Sequence, residues 1–126
     1  MLAKTKAFSS FAVDDASKAR KFYGETLGIE VSVLDEEGGL VSLLLAGDRD
    51  TLIYQKPDFV PATYTILNFS VDDIDRTVDE LSARGVEFEA YEGIEQDERG
   101  IARGSGPDIA WFKDPAGNIL AVLQEG

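Results

Sequence analysis

The sequence states one pattern twice. Phe11-Ala12-Val13-Asp14-Asp15 returns 58 positions later as Phe69-Ser70-Val71-Asp72-Asp73. Leu27-Gly28-Ile29-Glu30-Val31 is answered 57 positions on by Arg84-Gly85-Val86-Glu87-Phe88, so one residue has been lost in between. Thr51-Leu52-Ile53-Tyr54-Gln55 corresponds in turn to Leu120-Ala121-Val122-Leu123-Gln124. A chain made of two copies of one unit of roughly 55–60 residues has few folds open to it. At 126 residues the two copies together amount to one domain's worth of chain.

Each copy can be read physically. Residues 6–13 alternate and end in Phe11 and Val13, as a half-buried strand does. Asp14-Asp15 then supplies a helix cap and negative charge at the positive end of the helix. Ala16, Ala19, Phe22, Tyr23 and Leu27 recur at helical spacing, and Gly28 stops the helix. In the second copy Leu67, Phe69 and Val71 share a strand face and Asp72-Asp73 caps. Ile74, Val78 and Leu81 form the helical stripe, and Gly85 terminates it.

Strands follow each helix, predicted at about 29–34, 39–46 and 50–56 in the first copy and about 86–92, 108–113 and 119–124 in the second. Gly47-Asp48-Arg49-Asp50 joins the last two strands of the first copy. Asp114-Pro115-Ala116-Gly117-Asn118 joins those of the second, with Pro suited to the second turn position and Gly to a positive φ. The order is therefore β-α-β-β-β twice, an α+β architecture. Module one spans about 4–57 and module two about 63–125. Pro57 to Thr63, with Pro57 and Pro61, forms the linker within a single domain.

The run from Val13-Asp14-Asp15 through Phe22-Tyr23 to Leu27-Gly28, its repeat from Val71-Asp72-Asp73 to Gly85-Val86-Glu87-Phe88, and the closing Phe112-Lys113-Asp114-Pro115-Ala116-Gly117-Asn118 together resemble the vicinal oxygen chelate superfamily. This is the glyoxalase/bleomycin-resistance/dioxygenase family, and the resemblance spans essentially the whole chain. It implies eight strands in cupped mixed sheets around a ligand cavity, commonly in a homodimer.

Enzymes of that family usually hold a divalent metal with His and Glu from four strand positions. Counting back seven residues from Asp15 and Asp73 places the two first-strand positions at Phe8 and Ile66, and the last-strand positions match Leu52 and Ala121. All four side chains are carbon, which coordinates no cation. The resemblance thus leads to metal-free binding members, with no metal and no cofactor expected. His and Cys are both absent, which removes imidazole shuttles, His-containing triads and thiolate chemistry.

If Phe11 and Val13 pack under the helix, alternation turns Phe8, Ser10 and Ala12 the other way, into the cup. The same logic places Leu52 and Tyr54, Ile66, Asn68 and Ser70, and Ile119, Ala121 and Leu123 there. No position predicted to face the cup is Asp, Glu or Lys. Such an apolar wall with a few hydroxyls and one amide is either a small-molecule pocket or a collapsed second core. Trp111, the only tryptophan, either stacks on a flat or cationic ligand or packs in a core or dimer interface. Tyr54 either offers a ligand its hydroxyl or holds a structural hydrogen bond. The candidate ligand-binding set is Phe8, Ser10, Leu52, Tyr54, Ile66, Asn68, Trp111 and Ala121, with no catalytic residue assigned.

Glu87, Glu89, Glu92, Glu95, Asp97 and Glu98 precede a flexible-looking stretch, Gly100 to Pro107, readable as an acidic lid or as a solvated edge. Gly104-Ser105-Gly106 is not a phosphate loop, because Pro107 and a strand follow rather than a helix. Lys and Arg number 12 against 24 Asp and Glu, a net charge of −12 that repels nucleic acid and anionic membranes. The first seven residues lack the apolar run of a secretory signal, and no segment is long enough to span a membrane. The expectation is a cytoplasmic protein that sequesters or carries a small apolar or cationic molecule. The alternatives are a metal-independent, or atypically metal-dependent, lyase or isomerase of the same superfamily, and a dimeric structural or interaction module.

Overall fold

The computed structural model describes residues 1–104 and 106–125, and the chain divides into two compact units between Val60 and Pro61, inside the expected linker. In the first unit β1 (Ser9–Val13) leads to α1 (Ala16–Lys21), then β2 (Glu30–Asp35), β3 (Leu40–Leu45) and β4 (Arg49–Gln55). The sheet order is β1-β4-β3-β2, with β1 parallel to β4 and the other pairs antiparallel. In the second unit β5 (Thr65–Ser70) is followed by α2 (Ile74–Ala83), β6 (Asp108–Lys113) and β7 (Ile119–Gln124), in the order β5-β7-β6. Two mixed sheets, each with a helix on one face, make this the expected α+β class.

The helix starts are fixed by the aspartates. Asp15 Oδ1 accepts from the Ser17 and Lys18 amides at 2.9 and 3.1 Å, and Asp73 Oδ1 accepts from the Arg76 amide at 3.1 Å. These bonds satisfy amides that the first helical turn leaves without an internal partner. The stops fall where glycine tolerates left-handed backbone, at Gly28 (φ 73°) and Gly85 (φ 92°).

The core of each unit lies between its helix and one sheet face. Val13, Ala19, Tyr23, Leu43 and Ile53 are buried in the first unit, and Ile74, Val78, Phe112, Leu120 and Val122 in the second. Ring contacts reinforce both cores, Phe11 with Tyr23 at 5.7 Å and Phe88 with Phe112 at 5.6 Å between centroids.

Three local expectations are corrected. The first helix does not run regularly to Leu27; it ends at Lys21 and widens into a π turn over Phe22–Thr26, closed by the Leu27 amide on the Phe22 carbonyl. Gly24 lies inside that turn, where a residue of low helix propensity lets the winding loosen. The strand expected at 6–13 begins only at Ser9.

The strand expected at 86–92 does not form either. Among the described residues there are seven strands rather than eight, and that segment contributes only a bridge from Phe88 to Phe112. Its counterpart β2 carries Val31 and Val33, whereas Glu87, Glu89, Ala90 and Glu92 supply charge and little β-branched surface.

The closing turn is built as its residues suggest. Asp114 Oδ1 accepts from the Ala116 and Asn118 amides at 3.0 and 2.9 Å, and Asn118 Nδ2 donates to Asp114 Oδ2 at 3.1 Å. Both side chains are buried.

Candidate functional site

Register decides which side chains stand on the sheet face turned away from α1. Ser10 aligns with Leu52, Leu52 with Ser42, and Ser42 with Ser32, so one row across the four strands carries three hydroxyls around a leucine. The next row joins Ala12, Tyr54 and Leu40. Ser10, Leu52 and Tyr54 of the candidate set are therefore true neighbours. Phe8 lies just before β1 at 67% exposure, outside the paired strand. Ser42 and Ser32 were not singled out from the sequence, although Ser42 interrupts an otherwise apolar run, Leu40 to Leu45, at the alternation of an outward-facing row.

The second sheet repeats the arrangement. Asn68 aligns with Ala121 and Ala121 with Trp111, which places three members of the candidate set in one row. Ser70, Leu123 and Ile109 form the next. Ile66 stands apart, because Thr65 pairs with Ile119 and Leu67 with Leu120, leaving Ile66 as the bulged residue without a partner.

Charged residues stand at the ends of these faces. Asp50 lies opposite Leu44 in the row beyond Leu52, and Lys113 follows Trp111 by two residues on the same face. Lys113 Nζ meets Glu89 Oε1 at 3.4 Å. Asp50 and Lys113 both lie near strand ends, Asp50 at the start of β4 and Lys113 at the end of β6, beyond the central apolar residues.

Beside that ion pair the ring of Tyr91 stands edge-on to Trp111, with centroids 5.5 Å apart and planes at 75°. The Tyr91 hydroxyl is shielded from water and has no hydrogen-bond partner among the described residues. Burial raises its pKa above the ordinary phenol value, the Glu89 carboxylate adds to the rise, and Lys113 opposes it. Sequence reasoning missed Tyr91, which falls in a segment that looks like a charged strand edge.

The acidic segment is a tied loop. Gln96 donates through Nε2 to the Glu89 and Gly100 carbonyls at 2.9 and 2.8 Å, and its Oε1 accepts from the Tyr91 amide at 2.8 Å. Arg99 reaches Asp75 and Asp79 on α2 at 2.7 and 3.2 Å, and Arg103 reaches Asp75, Asp97 and Asp108 at 2.6, 3.4 and 3.2 Å. Burial pushes the Asp97 carboxyl up, but bonds from the Ile101 and Arg99 amides and from Arg103 outweigh it and hold the pKa below the usual carboxylate range. An open groove of about 700 Å³ runs alongside, its lining including Asp79, Val86, Phe88, Ile94 and Arg99. Ser105, part of the Gly104-Ser105-Gly106 segment, lies outside the described residues.

The side chains of Phe8, Leu52, Ile66 and Ala121 offer no lone pair to a cation. Among the described residues no three Asp or Glu side chains gather as metal ligands would.

The family model of the Glyoxalase/Bleomycin resistance protein/Dioxygenase superfamily matches residues 7–122. The chain belongs to this superfamily. No curated protein sequence matches it. Among solved structures it is similar to TnmS3, an antibiotic binding protein from Streptomyces sp. CB03234, at 22% identity over 98% of both chains with a TM-score of 0.72. A superfamily member from Sphaerobacter thermophilus DSM 20745 shares 26% identity over 95% of this chain and 98% of its own, with a TM-score of 0.68. The fosfomycin resistance protein FosX from Listeria monocytogenes shares 17% identity over 98% of this chain and 92% of its own, with a TM-score of 0.72. No described helix of this superfamily chain is long and apolar enough to cross a membrane.

Proposed function

We propose that this protein binds a small apolar or cationic molecule without a metal, as a cytoplasmic sequestering or carrier protein whose two units act as one domain. The observation that carries the reading is the composition of each sheet's face turned away from its helix. Where the resemblance puts metal ligands the chain has Phe8, Leu52, Ile66 and Ala121. In the first sheet Ser10 and Ser42 share the row of Leu52, and in the second Asn68 and Trp111 share that of Ala121, with Tyr91 against Trp111. An apolar wall with sparse polar groups suits a ligand that is held. The net charge of −12 attracts cations to it and repels anions. TnmS3, which shares the fold, is an antibiotic binding protein. Assembly with a second copy belongs to the same reading and is checked by sedimentation equilibrium.

Isothermal titration of the purified chain against a panel of aromatic, cationic antibiotics tests it. Micromolar binding by one member, with quenching of the lone Trp111 fluorescence, is expected. Failure of the whole panel to bind better than millimolar overturns the sequestration reading.

A further inference from the structure

Beyond the Phe88–Phe112 bridge the chain leaves β6 through a single backbone bond, from the Glu89 amide to the Trp111 carbonyl at 2.8 Å. Gln96 then fixes the main chain at residue 91, which seats the Tyr91 ring against Trp111. The cost of that placement falls on the hydroxyl. A phenol carries one donor and two acceptor sites, and shielding it with none engaged is unfavourable by more than a typical hydrogen bond gains. On this face the two rows nearest Trp111 carry Ile109, Ala121 and Leu123 with Asn68 and Ser70 at their β5 ends, and neither of those two polar side chains bonds the hydroxyl. Glu89 is engaged with Lys113. Among the described residues the hydroxyl has no partner, which leaves it for one from outside the chain.

We propose that Tyr91 is a ligand-contacting residue, whose hydroxyl donates to a neutral acceptor, above all a carbonyl, on a flat apolar ligand held against Trp111. The assignment rests on the reading of this sheet face as a small-molecule site. The phenol keeps its proton at neutral pH, because burial and Glu89 both favour the uncharged form. An anionic acceptor is disfavoured by the charge of −12. Tyr91 as a whole stays partly exposed, so its ring lies within reach of an arriving ligand.

The test uses the full chain, the Tyr91→Phe variant and two probes of nearly equal shape, 2-acetylnaphthalene and 2-isopropylnaphthalene, titrated calorimetrically. Taking the ratio of the two affinities cancels their difference in hydrophobicity. That ratio is expected to shift about tenfold against the ketone in Tyr91→Phe, the usual effect of losing one hydrogen bond to a buried donor. The variant keeps the ring and loses an unpartnered hydroxyl, so its urea midpoint is expected to match or exceed that of the parent. If both probes bind and the ratio is unchanged, the assignment is overturned while the small-molecule reading stands. If neither probe binds the parent chain, the assignment is overturned as well, and the small-molecule reading is decided by the antibiotic panel.

Discussion

Gln124 Oε1 accepts a hydrogen bond from the Ile74 amide at 2.8 Å, fifty residues earlier in the chain. Gln55 makes the same bond to the Ala16 amide at 2.9 Å. Ile74 and Ala16 are the first residues of α2 and α1, so each last strand caps its own module's helix, while Asp73 and Asp15 take amides deeper in the first turn. Gln124→Ala is expected to cost about 1–2 kcal/mol, as loss of a helix cap does. Gln124→Glu keeps the acceptor and is expected to restore most of it, with negative charge favoured at that helix end. Urea midpoints of the two variants check this.

The Asp114 carboxylate organises the β6–β7 turn, with the Ala116 amide, the Asn118 amide and the Asn118 side chain as donors in buried surroundings. Asp114→Ala is expected to lose about 2–4 kcal/mol, because hydrogen bonds to a charged acceptor are each stronger than neutral ones and their donors stay shielded. Chemical denaturation measures the loss.

Asp97 sets an acid limit on the loop. Its folded-state pKa is depressed, so its contribution is fully present above the unfolded carboxyl value, about 3.9, and is lost as pH falls through the lower folded value. Amide protection at Ile101, whose N–H donates to Asp97 Oδ1 at 2.9 Å, is expected to fall below about pH 4. In Asp97→Asn that acid step is expected to vanish, and NMR-detected hydrogen exchange across the range follows both.

Metal addition gives a separate check on the binding mode. A cation bound to the folded chain alone raises the unfolding temperature in proportion to the logarithm of its concentration over its dissociation constant. With carbon side chains at Phe8, Leu52, Ile66 and Ala121, manganese, nickel and zinc are expected to leave the Tm unchanged, and EDTA likewise. A saturable rise of several degrees with any of them contradicts metal-free binding.

Much of this was legible because it is local chemistry. Asp15 and Asp73 as caps, Gly28 and Gly85 as stops, and the Asp114–Asn118 turn follow from side chains that bond or free their own neighbouring backbone. The rows joining Ser10 to Leu52 and Asn68 to Ala121 and Trp111 were within reach because strand alternation has a period of two. Ile66 escaped that counting through a bulge, which no local residue pattern announces.

By itself, then, the sequence determined the duplicated order of strand, capped helix and closing strands, its boundaries at caps and glycines, and the carbon side chains of Phe8, Leu52, Ile66 and Ala121. Each of these depends only on residues a few places apart or on residue identity. Only the tertiary structure decided that residues 86–92 form no strand, that Gln96 folds back to seat Tyr91 on Trp111, and that Arg99 and Arg103 join Asp75 across separations of 24 and 28 residues. Those contacts depend on where a loop's path brings its side chains, and that path is set by competition among many weak long-range pairings rather than by any local preference.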